Sequence, residues 1–344
     1  MTDRPWWHPA RHEARAPLLR ARSALMGRIR GWFAGEGFLE ADPAALQASP
    51  GNEVHLHGLA AELALPDGRS RAMYLHTSPE FAMKKLIAAG EERLVSMGHV
   101  WRGGERGPLH HPEFTMLEWY RAGAPYEALW QDCAALLRLA GEVGGGPLRW
   151  RGAECDPALP PERVTVAEAF AAHAGIDLDA TLDAEGLGNR AALAAELPKD
   201  IRAAEDDSWA DLFAKVLTAK VEPRLGLGRA TILDRYPACE AALARRAPGD
   251  PAHAERFELY ACGVELANGF GELTDAAEQR SRFTADMEER RRRYGSAFPL
   301  DEDFLSALEI MPPASGIALG FDRLVVLATG APNIESVLWA PVPG

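Results

Sequence analysis

Apolar residues recur at helical spacing near the start of the chain, where Leu18, Leu19, Leu25, Met26, Ile29, Trp32 and Phe33 fall on one stripe. Gly35-Glu36-Gly37 then stops the helix, and Phe38-Leu39-Glu40 leads as a short strand to Pro43. The pattern predicts a long amphipathic helix over residues 18–33 followed by a strand. Further on the period changes. Residues 94–103 and 113–121 read as two strands joined by the loop 104–112, an antiparallel hairpin with charged groups at its tip. Alternation along the second strand places Phe114, Met116, Glu118 and Tyr120 on one face. A glycine cluster over residues 141–147 marks a flexible connection, residues 153–199 read as an Ala-rich helical insertion, and residues 278–294 as a charged helix. The run Arg290-Arg291-Arg292-Arg293 follows Glu288-Glu289 and sits where cations suit a helix C-terminus, so it reads as a solvated face.

Composition narrows the class. At 344 residues, with 47% apolar and 25% charged residues, the chain has ordinary globular values and reads as one large domain. No apolar run approaches the roughly 20 residues of a membrane span, and no signal-type apolar segment follows the arginines of the first thirty positions. A cytoplasmic protein with no membrane partner is expected. Cys133, Cys155, Cys239 and Cys262 form no C-x-x-C pair and lack histidines at finger spacing, so reduced thiols are expected rather than zinc or disulfides. A net charge of −13 disfavours an extended nucleic-acid surface and suits a basic protein partner.

Candidate chemistry concentrates in two stretches. Arg102-Gly103-Gly104-Glu105 runs into His111-Pro112-Glu113-Phe114, and Gly316-Ile317-Ala318-Leu319-Gly320 runs into Phe321-Asp322-Arg323. Guanidinium groups hold phosphate oxygens bidentately and glycines let backbone approach a nucleotide, so the combination suggests a triphosphate site. Neither stretch is a P-loop or a dinucleotide fingerprint. Glu258 and Glu265 bracket a turn at Cys262-Gly263. His55 with His57, and His110 with His111, lack a third ligand, so no transition-metal site is expected.

The second stretch strongly resembles motif 3 of the class II aminoacyl-tRNA synthetases. Val100-Trp101-Arg102 through His111-Pro112-Glu113-Phe114-Thr115 resembles their motif 2, and the opening helix and strand resemble motif 1. Thr77-Ser78-Pro79-Glu80, Pro112 through Tyr120, and Gly263-Val264-Glu265-Leu266-Ala267-Asn268-Gly269 through Leu273 look like the lysine enzymes of that class. They look more like the truncated paralogues that ligate lysine-type residues to elongation factor P. The resemblance covers residues 18–338. It implies an α+β fold, a class II synthetase-like catalytic domain over residues 18–344 with an antiparallel sheet flanked by helices, preceded by an extension over residues 1–17. That extension is too short for an anticodon-binding barrel, so no tRNA partner is expected. Motif 1 implies a homodimer.

The resemblance also assigns roles. ATP and Mg²⁺ are implied, with nucleotide contacts from Arg102, Gly103, Gly104, Glu105, His111, Glu265, Leu266, Gly320 and Arg323. Arg102 would bridge the substrate carboxylate and the α-phosphate, and Arg323 would clamp the γ-phosphate. Glu258 and Glu265 would hold Mg²⁺. Glu272 would take the side-chain ammonium of a lysine-type substrate, with Tyr120 and Glu118 beside it, and Glu80 in the Ser78-Pro79-Glu80 turn would take the second amine. Two departures stand out. The family usually reads Arg-Asn-Glu where this chain has Arg102-Gly103-Gly104-Glu105, so Glu105 would have to meet adenine from one position later, and His111 replaces a usual asparagine. Motif 3 carries Ala318 where lysyl-tRNA synthetases have glycine, a methyl that disfavours an α-amino group and suits (R)-β-lysine. The expected activity is adenylation of (R)-β-lysine and its transfer to a lysine of elongation factor P. A lysine-activating enzyme serving another acceptor, and a catalytically silent regulatory paralogue, stay open at this point.

Overall fold

Residues 5–343 are described by the computed structural model; residues 1–4 of the expected extension, and Gly344, lie outside the described residues. The chain divides into two compact units, one formed by Met1–Ala124, Thr274–Ala314 and Ala318–Gly344, the other by Pro125–Leu273 and Ser315–Ile317.

The first unit begins with a helix over Pro9–Gly35 that buries Arg15, Leu19, Arg22, Leu25, Ile29 and Phe33 along one stripe. It starts well before the expected position 18. Pro17 hid its first turns, because an internal proline removes a backbone donor and normally ends a helix. Arg15 secures those turns from outside the helix: its guanidinium donates to the carbonyls of Ser336, at 3.3 Å, and of Leu338.

Leu39–Glu40 pairs in parallel with Arg93–Trp101, which pairs antiparallel with Glu113–Ala122 in the register Trp101 opposite Glu113. The expected hairpin is therefore present. Leu46–Gln47, Ser70–Leu75 and Leu59–Ala64 make a separate small sheet. A helix over Glu80–Ala88 carries Phe81, stacked 4.2 Å from Phe304 on the neighbouring helix Glu302–Leu308. The strand Ala314–Gly320 runs directly into a helix over Phe321–Thr329 that is buried along most of its length.

One buried network ties three of these elements together. Asp322 accepts from the Thr115 backbone N–H at 2.7 Å and pairs with Arg22, which also donates to the Thr115 hydroxyl at 2.7 Å. Arg22, Thr115 and Asp322 are only 4%, 2% and 1% exposed, so the ion pair lies in a setting where an unpaired charge would be costly.

In the second unit Glu162–Thr165 runs parallel to Thr231–Asp234, which pairs antiparallel with Arg256–Ala261, itself antiparallel to Val264–Gly271. The α+β class holds, but the strand directions are mixed rather than purely antiparallel. In both parallel pairs the chain supplies the long crossover that parallel neighbours need. The Ala-rich stretch 153–199 contains strands Ala153–Cys155 and Glu162–Thr165 as well as helices. Thr165 and Glu168 form a capping box there, and Phe170 stacks 5.0 Å from Phe213 in the core of the unit. The glycines near 141–147 are not a loose link: the helix Ala128–Gly144 runs through Gly141 and ends on Gly145 in the left-handed region at φ 75°.

The charged helix, Ala276–Tyr294 in the first unit, is capped by Asp275. Its arginine run is not a uniformly solvated face. Arg290 turns inward at 3% exposure and donates to the carbonyls of Val54 and Leu56 at 2.6 and 2.9 Å.

Asp322→Ala leaves Arg22 buried without its carboxylate and should destabilise the protein by about 3 to 5 kcal/mol. Urea denaturation measures this; a loss under about 1 kcal/mol would mean that water or a neighbour replaces the pair.

Candidate active site

In the first unit, three side chains that the sequence singled out, Ser78, Glu80 and Tyr120, meet around a fourth, the buried carboxylate of Glu118. Period-two alternation brings Glu118 and Tyr120 to the same face of their strand, and the Tyr120 hydroxyl donates to Glu118 Oε1 at 2.7 Å. Ser78 donates to Oε2 at 2.7 Å while accepting from the Glu80 backbone N–H at 3.0 Å, so it joins the strand to the start of the Glu80–Ala88 helix. Pro79 occupies the cap of that helix. Glu80 pairs one turn on with Lys84 at 2.6 Å, and the Lys84 side chain is fully buried. Burial, followed by the nearby Glu80 charge, pushes the Glu118 carboxyl up to about 8, against the opposing hydrogen bonds of Ser78 and Tyr120 and the Lys84 charge. The sequence reading missed Lys84. Its signal was the i, i+4 spacing from Glu80 on a short helix.

The two arginines also lie in the first unit. Arg102 donates through Nε to the Thr77 carbonyl at 3.2 Å and rests over the Phe114 ring. Gly103 donates to the His57 carbonyl at 2.6 Å, and a Cβ there would sit a tight 3.2 Å from that oxygen and from Leu59. Gly104 follows in the left-handed region at φ 77°, just before Glu105. Arg323 stands in the first turn of its helix and reaches the hairpin tip, donating to the Leu109 carbonyl at 3.3 Å and to His110 Nε2 at 2.9 Å. Loss of water around the ring and the Arg323 charge depress the His110 pKa, so the ring is the neutral acceptor this contact requires.

His111, expected to face the nucleotide, has both ring nitrogens engaged by backbone: Nδ1 with the Glu113 carbonyl at 2.6 Å, and Nε2 accepting from Val342 N–H at 3.2 Å. Ala318 and Gly320 alternate as the half-exposed positions of an otherwise buried strand.

In the second unit a bulge arranges the acids. Ala261 opposes Val264 across the turn at Cys262 and Gly263, both at positive φ, and Tyr260 opposes Glu265. Leu259 then opposes Ala267, so Leu266 is the extra residue and the pleat beyond it shifts by one. The shift brings Asn268 opposite Glu258 and Phe270 opposite Arg256, on the face that also carries Tyr260 and Glu265. The same parity continues to Glu272, which is 1% exposed. Gly271 faces the other way, where a Cβ would collide with the Glu255 carboxylate. Glu258 accepts from Arg256 at 2.7 Å and from Tyr260 at 2.6 Å. Burial and then the Glu265 charge raise its pKa, with Arg256 opposing.

Residues 4–342 match the family described as tRNA synthetases class II (D, K and N). The chain belongs to this class II synthetase family. Its curated relatives include elongation factor P–(R)-β-lysine ligases. The protein of that name from Vibrio cholerae is 36% identical over 339 residues, those from Klebsiella pneumoniae and Salmonella gallinarum 38% over 341 residues, and each alignment covers 98% of both chains.

The second-unit acids of this class II synthetase suit a magnesium ion. Burial and the Glu265 charge on the same sheet face raise the Glu258 pKa, and a cation shared by the pair relieves that repulsion. Among the described residues no group of three or more His, Cys, Asp and Glu could hold a metal. A pair is what magnesium requires when it takes its remaining oxygens from phosphate and water.

Proposed function

We propose that the chain is an ATP-dependent, AMP-forming ligase that activates (R)-β-lysine and transfers it to a lysine side chain of elongation factor P, a cytoplasmic task. The observation that carries this reading is the first unit's combination of two phosphate-type arginines, Arg102 and Arg323, with a buried amine-type carboxylate, Glu118, held by two hydroxyls. The near full-length likeness to ligases of that name supports the choice of substrate and acceptor.

Activation needs the carboxylate held in line with the α-phosphate and the leaving pyrophosphate neutralised. Arg102 takes the first task, bridging the carboxylate and the α-phosphate. Arg323 takes the second at the γ-phosphate, exchanging its contact with neutral His110 for phosphate oxygens. A substrate carboxylate oxygen attacks the α-phosphorus, the bond to the β-phosphate breaks and pyrophosphate leaves. The acceptor lysine amine then attacks the acyl carbon, AMP departs, and the amine proton passes to solvent. Glu258 and Glu265 would hold magnesium, which when bound neutralises phosphate charge. Glu272 is assigned to the side-chain ammonium, and Glu118, with Ser78 and Tyr120, to the other amine in place of Glu80, whose charge is met by Lys84. A site that hydrogen-bonds an amine rejects analogues lacking it by orders of magnitude.

The homodimer is part of the same proposal. The strand Leu39–Glu40 follows the motif 1 helix and leaves Leu39 56% exposed. Light scattering at micromolar concentration should give twice the chain mass, and a monomer would refute the assignment.

The Ala318 methyl is proposed to select the β-amino acid. Wild-type protein should catalyse pyrophosphate exchange with (R)-β-lysine in preference to α-lysine. Ala318→Gly should shift the ratio of kcat/KM values towards α-lysine by about 5- to 150-fold, equivalent to about 1 to 3 kcal/mol. An unchanged ratio would make Ala318 a packing residue, and no exchange with any diamino acid would overturn the ligase reading itself.

A further inference from the structure

We infer that Lys84 sets the charge of the amine-binding cluster, so that the first unit takes up an ammonium group of its substrate by releasing the proton of Glu118. This deepens the proposed function and rests on it.

The geometry carries the argument. Lys84 is fully buried and lies 2.6 Å from Glu80, so the Glu80 charge is already matched within the protein by a residue one helical turn away. The carboxylate left to meet a substrate ammonium is Glu118, 1% exposed. The charged and hydrogen-bonding groups seen to bear on it among the described residues are these. Glu80 and Lys84 come from the helix, Ser78 from the turn before it, Tyr120 from its own strand, and neutral Ser96 lies directly across on the neighbouring strand.

With Glu80 and Lys84 cancelling, an ionised Glu118 would be a buried net negative charge, which is strongly disfavoured without a counter-ion. A protonated Glu118 makes the cluster neutral. Its pKa of about 8 agrees with that state at neutral pH. Its hydroxyl partners serve both forms, because Ser78 and Tyr120 can each donate to a carboxylate or rotate to accept from a carboxyl.

An arriving ammonium supplies the missing positive charge, favours the carboxylate and expels the proton. A ligand that is neutral at this position gains nothing comparable, so the cluster selects for charge rather than for shape. Lys84 thereby acts as a specificity-determining residue without touching the substrate. Without it, Glu80 and Glu118 would share one proton and present a standing negative charge.

Calorimetric titration of the full chain with (R)-β-lysine in buffers of different ionisation enthalpy at neutral pH counts the protons released. The expected result is about one proton per ligand in the wild type, with affinity rising as pH approaches about 8. Glu118→Gln, close in size and able to hydrogen-bond, should reduce the release to near zero and weaken binding. Lys84→Met should also abolish the release but retain binding, because the negative charge is then already present. A merely structural role for Lys84 would lower stability without moving the proton count. Binding by wild-type protein without proton release, or release that persists in Glu118→Gln, overturns the inference while leaving the ligase reading intact. Absence of both binding and pyrophosphate exchange overturns the two together. If Lys84→Met fails to fold, the wild-type and Glu118→Gln counts still decide.

Discussion

The buried Arg22–Asp322–Thr115 network is the constraint on which the first unit's chemistry depends. Asp322 and Arg323 are neighbours in the first turn of one helix, so their side chains point about 100° apart. Anchoring Asp322 inward on Arg22 and the Thr115 backbone aims Arg323 at the hairpin tip, where His110 receives it. Thr115 lies on the strand that also carries Glu118 and Tyr120. One ion pair and two hydrogen bonds thus set the placement of both Arg323, proposed for phosphate, and the strand of Glu118, proposed for an amine. The aspartate of the motif 3 signature is in this sense a structural anchor, and it orients the arginine beside it, the one proposed for the γ-phosphate.

The second unit uses backbone rather than charge for the same end. Inserting Leu266 into one strand shifts the pleat, and the shift decides which later side chains share the face of Glu258 and Glu265. Were the same residues paired in regular register, with no bulge, Ala267 would oppose Glu258 in place of Asn268, and Glu272 would fall on the opposite side. A one-residue change of register is a large chemical change because strand periodicity is two.

Much of this was legible in the sequence because it rests on strong periodicity or local chemistry. The hairpin strands, the grouping of Glu118 with Tyr120 and the turn at Cys262-Gly263 follow from alternation and turn residues. What was not legible depends on partners distant in sequence. Pro17 masked the first turns of the opening helix, which Arg15 holds by bonds to residues at the other end of the chain. The parallel pairing of Leu39–Glu40 involves too few residues to leave a pattern. Lys84 and Arg290 look like ordinary helix-surface cations until folding buries them, one against Glu80 and the other on the Val54 and Leu56 carbonyls. The bulge at Leu266 leaves no mark in composition, and His111 could not be seen to face Val342.

Intact mass spectrometry of elongation factor P after incubation with the purified chain, ATP, magnesium and (R)-β-lysine tests the account most directly. The result it predicts is a gain of one β-lysyl residue on a single lysine, dependent on ATP and accompanied by equimolar AMP. AMP and pyrophosphate formation with the elongation factor mass unchanged would contradict it, since activation would then serve a different acceptor.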